Sequence, residues 1–111
     1  AIAEDCRVQP NGVFVVEDEE GTVVGYVTTR LHPASGIGWI PNLAVDPAHQ
    51  GRGIGRALLE HALDFFRDRG MVVAKIETLE QNPIGQTLYP SLGFVEVARQ
   101  IHYAMRLDIG E

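Results

Sequence analysis

The most constraining feature of the sequence is a glycine-rich loop between an apolar run and a helical segment. The apolar run ends at Val45, and the dipeptide Asp46-Pro47 after it is a turn signal. A loop with three glycines follows, and the segment beyond it has the periodicity of an amphipathic helix. The loop therefore lies where a strand meets a helix N-terminus. Unpaired N–H groups and the positive end of the helix dipole favour a phosphate or pyrophosphate ligand there.

The spacing of the glycines separates the known phosphate-binding patterns. Gly51-x-Gly53-x-x-Arg56 lacks the third glycine of the dinucleotide fingerprint, and no lysine stands where a P-loop needs one. The spacing that is present is Gln50-x-x-Gly53-x-Gly55. It resembles motif A of the GNAT N-acetyltransferase superfamily, in which loop amides hold the pyrophosphate of coenzyme A. Taken alone, the same pattern also suits a glycine-rich turn that caps an amphipathic helix.

A second motif strengthens the resemblance. The segment Asn82-Pro-Ile-Gly-Gln-Thr-Leu88-Tyr89-Pro-Ser-Leu-Gly93-Phe94 is similar to the GNAT C-terminal motif N-x-x-A-x-x-L-Y-x-x-x-G-F, with glycine where alanine is usual. The two motifs occur in the order of the family, separated by one helix and one strand. The resemblance covers roughly residues 13 to 107.

The residue pattern predicts the elements of the fold. Strands are predicted at 13–17, 22–31, 37–45, 71–78, 94–98 and 101–107, and helices at 53–70 and 83–92. The strands that flank the main helix should be parallel neighbours in a right-handed βαβ unit. Pro41 cannot donate to a ladder, so we expect a bulge or an edge there.

The resemblance implies an α/β fold of the GNAT type, a mixed and strongly bent sheet around the central βαβ unit. We expect one domain over residues 1–111, with 1–12 as a poorly defined N-terminal segment. A GNAT domain usually opens with a strand and one or two helices that line the acceptor site. We expect that part to be missing from this chain, so upstream residues or a second subunit would supply the wall of the acceptor site. An exposed sheet edge would favour association, which leaves a homodimer open.

The composition of the chain limits the classes of ligand and partner that we expect. The net charge of −6 argues against nucleic acid and anionic membranes. Cys6 is the only cysteine, so the chain has no internal disulfide and a reducing cytoplasm is the expected compartment. No apolar run has the length of a membrane span, and no signal-peptide pattern is present. The four histidines share no metal spacing, so no metal is expected.

The resemblance implies acetyl-CoA as the cosubstrate and assigns most of its contacts. Backbone groups of the strand before the loop would hold the acetyl carbonyl and the pantetheine, the loop would hold the pyrophosphate, and Asn82 would contact the pantetheine arm. Asn82 also suits a plain helix N-cap. The strand and loop residues are Leu43, Ala44, Val45, Gln50, Gly51, Arg52, Gly53, Ile54, Gly55 and Arg56.

Two residues match family positions that move protons. Tyr89 corresponds to the tyrosine near the thioester sulfur, and a phenol can protonate the departing thiolate as a general acid. Glu77 corresponds to a glutamate that some members use as the general base for the amine. Other members carry the base on the preceding strand, but residues 37–43 contain no carboxylate. That difference favours Glu77 as the base.

The function predicted from this resemblance is N-acetylation of a primary amine by direct attack on acetyl-CoA in a ternary complex. The acceptor is a small molecule or a protein, and the sequence does not identify it. The alternative is a non-catalytic acyl-CoA-binding or regulatory module of the same fold. A third, weaker alternative is a related fold that binds another phosphorylated ligand through the glycine loop.

Overall fold

The computed structural model describes residues 5–8, 12–77, 83–98 and 101–108. The chain divides into two units, Ala1–Glu77 and Thr78–Glu111. Among the described residues, no helix has both the length and the apolar character needed to cross a membrane.

The first unit contains two sheets and the main helix. One sheet is antiparallel with the strand order β1-β2-β3-β6, and the other has the order β4-β5-β7 with β5 and β7 parallel. The predicted βαβ unit is therefore confirmed as β5, α1 and β7. The elements are β1 (Asp5–Val8), β2 (Val13–Glu17), β3 (Val23–Thr28), β4 (Arg30–His32), β5 (Ile37–Ile40), β6 (Leu43–Val45), a 3₁₀ turn (Pro47–His49), α1 (Ile54–Asp68) and β7 (Val73–Ile76).

Two predicted strands are each divided in the structure, and the two breaks lie beside each other. The strand predicted at 22–31 is broken at Thr29, and the one at 37–45 is broken at Pro41 and Asn42. The Thr28 N–H donates to the Asn42 carbonyl at 2.9 Å, which joins the two breaks. Each long strand thus leaves one sheet and enters the other. This exchange produces the bent mixed sheet that the resemblance implied, with Pro41 at the irregularity as expected.

The break at Thr29 is fixed from its other side by Gly12. Thr29 is buried, and both its backbone N–H and its Oγ1 donate to the Gly12 carbonyl, at 3.1 and 2.5 Å. A buried hydroxyl is stable only when it has a hydrogen-bond partner. The Gly12 carbonyl supplies that partner and so holds the bend between β3 and β4.

The core lies between the sheets and the apolar face of α1. That face is formed by Ile54, Leu58, Leu59, Ala62 and Phe66. Gly38 in β5 lies directly under the helix, and a Cβ atom built on it would overlap the Phe66 ring. The lack of a side chain at Gly38 therefore sets how closely α1 can approach the sheet.

The N-terminal segment contains a strand that the sequence did not indicate. β1 pairs antiparallel with β2, with Cys6 opposite Val16 and Val8 opposite Phe14. A four-residue edge strand carries little periodicity of its own. Its pairing depends on β2, which alternates half-buried and buried residues.

The second unit contains helix α2 (Pro83–Ser91), close to the predicted 83–92. The strands predicted at 94–98 and 101–107 are wrong, because neither segment forms a strand. Their sequence alternates apolar and polar residues, but a strand also needs a ladder partner for its N–H and C=O groups. Within the described part of this unit there is no strand to pair with, and the apolar side chains are exposed.

We expect Gly38→Ala to lower the free energy of unfolding by about 1–3 kcal/mol. Phe66 is only 2% exposed, so its ring cannot move aside to admit the new methyl group. Urea unfolding followed by the fluorescence of Trp39, the single tryptophan, measures the change. In a Phe66→Leu background, Gly38→Ala should lower the free energy of unfolding by less. An equal loss in both backgrounds would contradict the inferred overlap between the new methyl group and the Phe66 ring.

Candidate functional site

Strand β6 is an edge strand whose outer backbone groups point away from its partner. Thr28 N–H donates to Asn42 C=O, and Asp46 N–H donates to Val24 C=O at 2.8 Å. These two bonds fix the ladder pattern, because hydrogen-bonded and non-hydrogen-bonded pairs alternate in an antiparallel sheet. The N–H and C=O groups of Leu43 and Val45 must therefore point outward from β3.

Ala44 has the opposite orientation to its two neighbours. It lies opposite Tyr26, and the alternation puts its N–H and C=O in the ladder with β3. Its backbone is thus used by the sheet, and its side chain is exposed. Three residues of β6 were predicted to contact the cofactor. Of these, Leu43 and Val45 have backbone groups that point away from β3, toward the side where a ligand could bind.

The turn after β6 is held by one aspartate. Asp46 Oδ1 accepts from the Ala48 N–H at 3.5 Å, and its Oδ2 lies 2.9 Å from His49 Nδ1. The His49 N–H donates to the Asp46 carbonyl at 2.8 Å, which closes the 3₁₀ turn. No functional role was predicted for His49. In the structure its ring fixes the loop that leads to the helix.

The side chain of Gln50 folds back on the strand. Its Nε2 donates to the Val45 carbonyl at 3.3 Å, which is one of the outward-facing groups of β6. The glutamine of the motif A pattern therefore makes a contact between the loop and β6 in this structure. A ligand that bonds to the Val45 carbonyl would have to share it with this amide or displace the amide.

The glycines open the N-terminus of α1. Gly51 and Gly53 have φ values of 81° and 80°, and a Cβ atom on either would meet nothing within 4 Å. Gly53 is the N-cap and provides no side-chain hydrogen bond, and the first helical bond runs from Ala57 N–H to Gly53 C=O at 3.0 Å. The amides of Ile54 and Gly55 precede that bond, so the helix offers them no acceptor. Together with the helix dipole, they suit an anion.

The two arginines of the loop and first helical turn add positive charge near these amides. Arg52 and Arg56 are both exposed. The first turn of α1 contains no acidic residue that would oppose an anion. The loop and the first helical turn thus carry two basic side chains in a chain whose net charge is −6.

Glu77 lies where the two parallel strands separate. Ile40 lies opposite Ile76 in the last pair between β5 and β7, and Glu77 comes directly after it. Beyond this point β5 is interrupted at Pro41 and the chain continues as β6 in the other sheet. The side chain of Glu77 is exposed.

Tyr89 lies in the second unit, near the C-terminal end of α2. Its carbonyl accepts from the Phe94 N–H at 3.1 Å, and the centroids of the two rings are 6.1 Å apart. Gly93, with φ of 100°, makes the turn that brings Phe94 back to the helix. Burial raises the pKa of the Tyr89 phenol above its usual value, so the phenol is protonated at neutral pH. Asn82, the remaining predicted contact, lies outside the described residues.

Sequence reasoning missed the hydrogen bonds that join the break after β3 to the break before β6. Thr28 Oγ1 accepts from the Asn42 N–H at 3.0 Å, next to the backbone bond between the same two residues. The signal in the sequence was Thr28-Thr29 in one strand of a hairpin and Pro41-Asn42 in the other. Only the register shows that they face each other. Among the described residues, no three His, Cys, Asp or Glu side chains are grouped to hold a metal ion.

Comparison with known proteins indicates the same protein family as the bent mixed sheet and the glycine-rich loop do. A profile of the Acetyltransferase (GNAT) family matches residues 2–94. The chain belongs to this family, whose members use acetyl-CoA.

Individual relatives cover most of this chain but only part of their own. The mycothiol acetyltransferase of Segniliparus rotundus is 34% identical over 100 residues, which are 86% of this chain and 38% of the relative. The [ribosomal protein bS18]-alanine N-acetyltransferase of Escherichia coli is 44% identical over 67 residues, which are 60% of this chain and 45% of the relative. The crystal structure of the E. coli ribosomal-protein-S18-alanine N-acetyltransferase superposes with a TM-score of 0.70 at 34% identity, covering 78% of this chain and 54% of that one. The chain thus spans less than half the length of these two curated relatives.

We expect the Tyr89 phenol to titrate above its usual value of about 10. Burial disfavours the charged phenolate, so the folded protein holds this proton more tightly than the unfolded chain does. The absorbance difference at alkaline pH between the wild type and Tyr89→Phe isolates this one group. A midpoint at or below 10 would contradict the environment that the structure gives the ring.

Proposed function

We propose that the chain transfers the acetyl group of acetyl-CoA to a primary amine by direct attack in a ternary complex. The observation that carries the proposal is the pairing of an open helix N-terminus with an edge strand in the first unit. The amides of α1 suit a diphosphate, and the outward N–H and C=O groups of Leu43 and Val45 suit the amide groups of a pantetheine arm. A β-strand edge binds an extended chain through such groups.

The proposed cofactor contacts follow the cosubstrate from one end to the other. The diphosphate lies against Gly51 to Arg56, with charge added by Arg52 and Arg56. The pantetheine runs along β6, and Asn82 contacts it. An outward N–H of β6 directed at the thioester oxygen polarises the carbonyl, as one donor of an oxyanion hole does.

The proposed reaction balances with three proton transfers. Glu77 takes a proton from the ammonium of the acceptor, directly or through a water, and the free amine attacks the thioester carbon. The tetrahedral intermediate collapses and the C–S bond breaks, and the nitrogen loses its second proton to solvent or to the phenolate left on Tyr89, so that a neutral amide remains. Tyr89 donates its proton to the CoA thiolate, whose thiol has a pKa of roughly 8.5, like that of cysteine. The raised pKa of Tyr89 keeps that proton available at neutral pH.

A second candidate is an acyl-CoA-binding module without transfer. It is supported by the same features of the first unit, the open N-terminus of α1 and the outward backbone groups of β6, which suit acyl-CoA whether or not transfer follows. The two candidates differ in turnover and not in acetyl-CoA affinity.

We expect Gly53→Asp to weaken acetyl-CoA binding by at least about tenfold, because the new carboxylate would bond to the helix amides and repel the diphosphate. Gly70→Asp is the matched control. Gly53 and Gly70 both have φ of 80° and open space around the Cβ position, but Gly70 lies beyond the other end of α1. Titration calorimetry compares the two. Equal affinities for the two variants would remove the loop from the cofactor site.

We expect Glu77→Gln and Tyr89→Phe each to lower kcat by about 10²- to 10⁴-fold while acetyl-CoA affinity stays near that of the wild type. Release of CoA thiol with a panel of amines measures turnover. Glu60→Gln, at an exposed position on α1, controls for loss of a carboxylate. A chain that binds acetyl-CoA but releases no CoA with any amine would support the non-catalytic module instead.

A further inference from the structure

The outer face of the sheet β4-β5-β7 carries a row of three exposed side chains, here named the Trp39 row. Trp39 lies opposite Arg30 on one neighbouring strand and opposite Lys75 on the other. Residues opposite each other in a sheet share a face, so the indole lies between two cations. Lys75 Nζ is 5.5 Å from the ring centroid, and 42% of Trp39 is exposed. The helix covers the other face, where Gly38 meets Phe66.

The cations of the Trp39 row have no acidic partner in the part of the chain that the structure describes. Neither Arg30 nor Lys75 forms an ion pair there. Lys75 is the only lysine of a chain with 15 acidic and 9 basic residues. With so many carboxylates in the chain, two unpaired cations on either side of an exposed indole form a local positive site. Such a site suits an anion attached to an apolar or planar group.

The Trp39 row lies close to Glu77, the proposed general base. Glu77 follows Lys75 by two residues, and alternation puts both side chains on the same side of the strand. Two residues of strand span about 7 Å, and a neighbouring strand adds about 5 Å sideways. An amine held at Glu77 therefore has its own substituents within reach of Lys75 and Trp39.

We propose that the Trp39 row is the acceptor subsite, and that the acceptor is an amine with an anionic group on the following one or two units, such as a peptide N-terminus followed by acidic residues. The proposal rests on the proposed function, because Glu77 defines where the amine lies. Lys75 and Arg30 attract the anionic group, and the indole packs against the chain between that group and the amine. A polycationic amine is disfavoured by the same two charges.

The test compares amines that differ only in charge. The probes are the tetrapeptide amides Ala-Glu-Glu-Phe, Ala-Gln-Gln-Phe and Ala-Lys-Lys-Phe, with neamine as a polycationic amine. CoA release at saturating acetyl-CoA gives kcat and KM for each. We expect kcat/KM to be highest for the acidic peptide, by about fivefold over the neutral one, through a lower KM. The preference should shrink in 0.5 M salt, because screening weakens exposed charge pairs.

Charge reversal at Lys75 provides the sharper measurement. In Lys75→Glu the order of the peptides should invert, with kcat/KM for the acidic peptide falling about tenfold. Arg67→Glu makes the same change of charge on the outer surface of α1, where Arg67 is exposed and pairs with Asp64, and it should keep the wild-type order. Lys75→Gln should bring the acidic and neutral peptides to similar KM values. Acetyl-CoA affinity is measured for each variant as the check on folding.

The outcomes separate this proposal from the proposed function. If neamine or the lysine peptide is acetylated as well as the acidic peptide or better, the acceptor assignment is wrong and the transferase assignment stands. An acidic preference that Arg67→Glu abolishes as fully as Lys75→Glu would also overturn it, since net charge alone would then explain the preference. If acetyl-CoA binds and none of these probes releases CoA although another amine of the panel does, the acceptor assignment alone is wrong; if no amine of the panel releases CoA, the transferase assignment is wrong as well.

Discussion

The structure of the first unit depends on the hydrogen bonds that join two broken strands. Thr28 gives its N–H to the Asn42 carbonyl and accepts the Asn42 N–H on its hydroxyl. Pro41, next to Asn42, has no N–H to continue the ladder with β7. The chain therefore leaves one sheet after Ile40 and enters the other at Leu43. Without this exchange, β6 would continue beside β7 and its outward backbone groups would be paired.

The anion site is built almost entirely from backbone, and this explains why glycine dominates it. In the proposed site the amides of the first turn of α1 bind the ligand, and Gly51 and Gly53 adopt the positive φ values that bring the chain to the helix. Side chains enter only as supports. Asp46 holds the short turn through Ala48 and His49, so the loop starts from a fixed point at the end of β6.

The charges of the first unit are divided between its functional surfaces. The loop and the Trp39 row are positive although the chain as a whole carries −6. Exposed pairs are individually weak, about 0.2–1 kcal/mol, so they tune the choice between ligands more than they stabilise the fold. The loop suits a diphosphate and, as proposed above, the Trp39 row suits an anionic group of the acceptor.

The sequence by itself determined the local features of this protein: the helix α1, the positive-φ glycines at its N-terminus, the parallel βαβ unit and the family. Each depends on residues close together in the chain, where periodicity and glycine spacing are informative. Local pattern failed at 94–98 and 101–107, where alternation predicted strands that form no ladder within the described part of the second unit. Only the tertiary structure decided the outward direction of Leu43 and Val45, the joined breaks at Thr29 and Pro41, and the position of Trp39 between Arg30 and Lys75. Those features depend on register between strands far apart in sequence, which no local pattern encodes.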